Sequence, residues 1–321
     1  MKRIFIPVAA IAVLAIGGAW WVVLRVATNP AADAAQANVK GSSTSAGTAG
    51  GSQLALPAPA TTGRNARTVA PASLALYKEI RDAPDLRAYY DRVKDLPDPT
   101  GERSYRLAEA IFECSIFVDK PPLELDKRLA LTKSASENAR RNQVLATMVA
   151  RCKGFNGMGA GLAELTEQLH KRAEVASYPA AIARSLRFEP AVLDLQHADT
   201  VATGLLATNP DPEVLLQVHQ YLNVRNGGEW LRQYGVNVQS WTYGWGLLGC
   251  DFGADCGPQS RPLMMVCVLR GECELTRMEQ VVMVMGGQAA VNGAEDLRTQ
   301  LARRLANRDW VGLGFIERSN K

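Results

Sequence analysis

Four of the chain's six cysteines lie within residues 249–273, GCDFGADCGPQSRPLMMVCVLRGEC, at Cys250, Cys256, Cys267 and Cys273. Sulfur at this density can hold a metal, exchange electrons or cross-link a fold. Spacing weighs these chemistries against one another. Zinc knuckles aim two thiolates at one ion from a C-x2–4-C turn. Here both local intervals are C-x5-C, and no histidine is near. The redox C-x-x-C motif is absent too. Structural disulfides are the expected state, with metal ligation and reactive thiols as the alternatives.

Geometry then suggests the pairs. A helix running from Cys256 to Cys267 would separate them by about 16 Å. A disulfide needs Cα atoms within about 7 Å. Local pairs remain: Cys250 with Cys256 around CDFGADC, and Cys267 with Cys273 around CVLRGEC. Each would staple a helix end to the next turn, with Gly253 or Gly271 reversing the chain. Cys114 and Cys152 are left for each other, both near predicted helix ends.

Carboxylates offer a second chemistry. Glu109 and Glu113 share a helix face, as acid–base pairs can. Leu107, Ile111, Cys114 and Val118 form an apolar stripe opposite them, and Glu102 and Arg106 lie within i,i+3/i+4 reach. The expectation is a solvated charged face. His170, His197 and His219 sit on three separate predicted helices, and Asp194 and Asp199 beside His197 read as surface partners. No nucleophile elbow, Walker loop or dinucleotide glycine pattern occurs. No catalytic residue, metal site or cofactor is expected. In EWLRQYGVNVQSWTYGWGLLGC, the residues Tyr234, Val238, Trp241, Trp245 and Leu248 form a core stripe. Trp230 and Tyr243 fall off it and are the candidate partner-facing residues.

The elements that position these residues are helical throughout. Apolar periodicity near 3.6 predicts helices near 73–82, 85–95, 102–118, 136–152, 160–175, 179–187, 191–207, 212–224, 229–249, 260–270, 276–286 and 294–308. Pro and Gly signals such as LPDPTG, FNGMG, ATNPDP and RNGG separate them. Thr276 with Glu279 forms a capping-box pattern. The fold class is all-α, either a multi-helix bundle or an irregular α-solenoid. ASYPAAIARSL and ATNPDPEVLLQVHQYL look like degenerate Sel1-like or tetratricopeptide units.

The N-terminus bears on the compartment. After Lys2 and Arg3, Ile4 to Leu24 is an uncharged run of 21 residues. As a helix it spans about 31 Å, close to the bilayer core. Trp20 and Trp21 suit an interface. Residues 1–27 are expected to be an uncleaved anchor, with 4–24 in the lipid bilayer. A signal peptide cut near Ala32–Ala34 is the alternative. The positive-inside bias places the N-terminus in the cytoplasm and the rest in a bacterial periplasm. Residues 28–71, rich in Ala, Ser, Thr, Gly and Pro without an aromatic, are expected to be a flexible linker. Residues 72–321 form the expected all-α domain. The first 71 residues carry six basic residues against one acid, Asp33, so the remaining chain has a formal charge of −1. A basic excess suited to nucleic acid is missing.

The stretch GCDFGADCGPQSRPLMMVCVLRGEC, preceded by WTYGW and followed by LTRMEQV, resembles a group of membrane-anchored proteobacterial envelope proteins, and so does RCKGF at 151–155. The resemblance spans about 100–321. It implies an envelope location and a helical domain, and it supplies no catalytic residue. Two functions stay open: a periplasmic scaffold that binds an envelope protein partner, and a cell-envelope hydrolase with an unrecognised carboxylate site.

Overall fold

The computed structural model describes residues 71–119, 134–187, 194–208, 211–233 and 238–315, with the side chains of 71, 226–233 and 238–239 left undescribed. The anchor expected at 4–24 and the linker up to residue 70 lie outside these residues. Pro71 already opens the first helix. Among the described residues, no helix is long and apolar enough to cross a membrane.

Eleven α-helices and no strand occur among the described residues. They are α1 (Pro71–Arg81), α2 (Leu86–Val93), α3 (Glu102–Cys114), α4 (Ala135–Cys152), α5 (Ala160–Val175), α6 (Pro179–Ser185), α7 (Leu195–Thr208), α8 (Pro212–Gln233), α9 (Val238–Asp251), α10 (Arg261–Arg270) and α11 (Met278–Asn307). A short 3₁₀ turn, Lys153–Phe155, follows α4.

Local chemistry explains many of the boundaries. The Asp85 side chain accepts from the Ala88 amide at 2.9 Å and starts α2. Ser134 does the same for α4 through Glu137 N at 3.2 Å. Gly271 closes α10 in the left-handed region, its amide donating to Cys267 O.

Three boundaries differ from expectation. The RNGG glycines do not end a helix, because α8 continues through them to Gln233. Each glycine costs only about 1 kcal/mol against Ala, which packing elsewhere in a long helix can offset. The break expected between 286 and 294 shrinks to one kink inside α11, where Gly287 has φ 71° and ψ −175°. The cap of α11 sits one residue later than TRME suggested: Gln280 Oε1 accepts from the Arg277 amide at 3.1 Å.

The helices form a bundle. The most extensive packing is α9 along α11 and α3 along α5, and α8 joins both α6 and α9. The main core holds Tyr105 of α3, Leu206 of α7, Leu215 and Tyr221 of α8, Trp241 and Trp245 of α9, and Leu297 and Leu301 of α11. Burying a side chain of this size contributes roughly 1.5–3 kcal/mol. Glycine allows α9 and α11 to approach closely: a Cβ on Gly244 would lie 2.8 Å from Leu297, and one on Gly293 2.7 Å from Ser240 Oγ. In a solenoid each repeat touches only its neighbours. Here Arg81 meets Asp255, Arg141 meets Val268 O and Arg261 meets Glu109. The C-terminal half therefore folds back on the first helices, which rules for the bundle over the solenoid.

Candidate functional site

Helix α3 is covered on both sides. Its apolar stripe, Leu107, Ile111 and Cys114, is fully buried. Glu102, Arg106, Glu109 and Glu113 follow at +4, +3 and +4, so they share the other face. The expected solvated face is wrong. Glu113 is 8% exposed, and its neighbours are only partly open to solvent. Other helices supply the cover: α1 with Tyr77, α4 with Arg151, α5 with His170, the start of α8 with Glu213 and the start of α10 with Arg261.

The charges interlock along that face. Arg106 Nη1 donates to Glu213 Oε1 at 2.7 Å, and its Nε lies 3.6 Å from Glu102 Oε1. Its guanidinium also sits over the Tyr77 ring, and Ser73 donates to Glu102. Arg261 spans two acids, with Nε 2.6 Å from Glu113 Oε1 and Nη1 3.4 Å from Glu109 Oε2. Arg151 stands 3.8 Å from the other Glu113 oxygen and donates to Ile80 O at 2.8 Å. His170 Nε2 donates to Glu109 Oε1 at 2.9 Å. Gln217, one turn beyond Glu213, donates to the buried Tyr105 hydroxyl.

These contacts set the proton affinities. Burial alone would raise Glu109, but the His170 hydrogen bond and charge, with Arg261 and Arg187, hold it down at about 2. Burial lowers His170, and Glu109 offsets part of that. Burial raises Glu213 despite Arg106, with Glu109 and Asp211 adding to the rise. Burial and the acids Asp255, Glu213 and Glu113 push Tyr77 up to about 12. Near neutrality Glu109 is therefore a fixed anion and Tyr77 is neutral, while burial shifts Glu213 in the direction of its protonated form.

The cysteines fall in three pairs with none free: Cys114–Cys152, Cys250–Cys256 and Cys267–Cys273, with Cα atoms 5.3, 5.8 and 4.3 Å apart. The first ties the end of α3 to the end of α4. The second closes the loop after α9, where Gly253 has a positive φ. The third bonds the last turn of α10 to the strap beyond Gly271. Among the described residues, no group of three His, Cys, Asp or Glu is placed to hold a metal ion.

The two candidate partner-facing aromatics fare differently. Tyr243 is a correction: it is 5% exposed and packs with Leu247, Val282, Ala290 and Ala294. Helix α9 meets α8 on one side and α11 on the other, so residues off the main stripe are buried as well. Trp230 lies in α8, but its side chain falls outside the described residues.

Trp241 and Trp245 pack edge-on in the core, with His219 tilted against both. His219 Nε2 pairs with Asn223 at 3.0 Å, and burial lowers the imidazole to about 3. His197 is exposed on α7. Asp199 turns inward instead of pairing on the surface, accepting from Tyr221 at 2.9 Å and from Arg225 at 2.8 Å. The three histidines thus have separate settings.

Arg261 is the residue that sequence reasoning missed. Its signal was faint but physical: a cation at the first position of a helix opposes the dipole. Arg261 opens α10, just ahead of Pro262, and so needs carboxylates from elsewhere. Glu213 gave a weaker sign, as an acid in the first turn of α8. No known protein family matches this chain, and neither a curated protein nor a solved structure is significantly similar to it.

Proposed function

We propose that this protein is a single-pass inner-membrane protein that presents a disulfide-clamped all-α domain to the periplasm as a scaffold for another envelope protein. The observation that carries this reading is the pairing of all six cysteines at three separate points of one helical fold. Such cross-links persist in oxidising compartments and are rare in the cytosol. The apolar run at 4–24 supplies the attachment, and the linker at 28–70 supplies the reach. The resemblance of 100–321 to proteobacterial envelope proteins supports the same location.

The charged face of α3 is taken up by contacts between helices. Glu109, Glu113 and Glu213 converge, but each is held by an arginine or a histidine. A cell-envelope hydrolase is the second reading. What favours it is that burial raises Glu213 while His170 and Arg261 hold Glu109 down, the separation that an acid and a base require.

Intact cells test both. A C-terminal reporter active only outside the cytosol should be active. Photocrosslinkers at the exposed Leu96, Val175 and Val224 should trap the same envelope protein repeatedly. Reporter activity confined to the cytosol overturns the location. Crosslinks to lipid alone overturn the scaffold. Hydrolysis of envelope polymer that Glu213→Gln abolishes replaces it with the second reading.

A further inference from the structure

The three disulfides differ in how they meet solvent. Cys114, Cys152, Cys267 and Cys273 are buried, between 0% and 6% exposed. Cys250 and Cys256 are half-buried, in a loop whose Asp251, Gly253, Pro258 and Gln259 are exposed. Thiol–disulfide exchange requires a thiolate to reach one of the two sulfurs, so access selects this pair.

The same ring joins the two ends of the domain. Asp251 accepts from Arg298 of α11, through Nε at 2.7 Å and through a second guanidinium nitrogen. Asp255 accepts from Arg81 of α1 at 2.9 Å. Arg298 also holds Glu295, and Arg81 also holds Asp82. Exposed ion pairs contribute little when each long side chain must be ordered separately. The disulfide removes much of that cost by fixing both aspartates on one short ring. Gly257, Pro258 and Gln259 connect the ring to Ser260 and Arg261 at the start of α10.

We propose that Cys250–Cys256 is a site of thiol–disulfide exchange with a dithiol protein, and that opening it loosens the grip of Asp251 and Asp255 on α11 and α1. A thiolate of the dithiol attacks one sulfur, forming a mixed disulfide and releasing the other sulfur as a thiolate. The second thiol of the reductant then displaces the remaining sulfur. The S–S bond breaks, two electrons and two protons pass to Cys250 and Cys256, and the reductant leaves as its own disulfide. The inference rests on the folded domain and does not depend on the scaffold role.

The test uses the full chain purified without reductant. Dithiothreitol, a small dithiol probe, is raised stepwise under native conditions, free thiols are alkylated, and labelled peptides are weighed. Cys250 and Cys256 should label at a concentration at least tenfold below that needed by the other four. Simultaneous opening of all three pairs, or opening of Cys250–Cys256 last, overturns the proposal. Hydrogen exchange on the selectively reduced protein, and on a Cys250→Ser/Cys256→Ser variant, reads the clasp. Protection should fall at least tenfold in 71–81 and 295–301 while α3 and α5 keep theirs. Unchanged protection in the selectively reduced protein overturns the clasp even if the variant fails to fold.

Discussion

At the residue scale, the charged network binds helices together by making each partner costly to remove. Arg261 satisfies two carboxylates, one of them almost fully buried. Taking away one member of a buried pair leaves an uncompensated charge. His219 shows the opposite solution, a histidine kept neutral by burial against Trp241 and Trp245. Its folded pKa of about 3 lies below its ordinary 6.5. The unfolded chain therefore binds a proton at His219 below pH 6.5 that the folded chain refuses, so stability falls as pH drops from 6.5 toward 3. The slope from this residue is about 1.4 kcal/mol per pH unit. His170, also lowered by burial, acts in the same direction. Glu109 acts lower down: its folded value near 2 is below its ordinary 4.5, so its stabilisation is present above 4.5 and disappears as pH falls toward 2. Urea unfolding at pH 6.5, 5.5 and 4.5 should show the histidine slope in the native chain. A His219→Gln variant should lose His219's share of it.

At the element scale, nearly all the helices were legible in the sequence, since an apolar stripe every three to four residues survives any packing. Their junctions were less so. RNGG reads as a break, but α8 passes through it. The 286–294 gap reads as two helices, and Gly287 does interrupt the helical path there, but the second stretch resumes at once and not at 294. A glycine reports a permitted conformation, and neighbouring helices decide whether it is used. At Gly287 it is used: φ is 71° with ψ near 180°, a region nearly closed to side-chain-bearing residues. Nothing lies within 4 Å of a Cβ there, so the cost of substitution is conformational. Gly287→Ala should lower stability by about 1–3 kcal/mol, measured by thermal unfolding. An unchanged or raised melting temperature would mean that α11 can run straight through this point.

At the scale of the whole molecule, the Cys114–Cys152 bridge does most to restrict the unfolded chain. It closes a separation of 38 residues, against 6 for each of the others. The chain-entropy estimate gives about 4 kcal/mol for it and about 2 for each short ring. Replacing both cysteines by alanine should lower the melting temperature of a domain this size by roughly 8–16 °C, about twice the fall expected from the loss of the Cys250–Cys256 cross-link alone. What sequence alone determined was the helical class, the approximate helix spans, and a cysteine pairing consistent with helix geometry. All of these follow from short-range rules of periodicity, turn residues and reach. Only the tertiary structure decided that the fold is a bundle, that Tyr243 and Asp199 face inward, and that the charged side of α3 is buried. The last of these depends on Arg261, Arg151 and His170 arriving from helices far along the chain, and the others on packing partners in other helices. A pattern read within one helix shows which face is charged, but it does not show what will cover it.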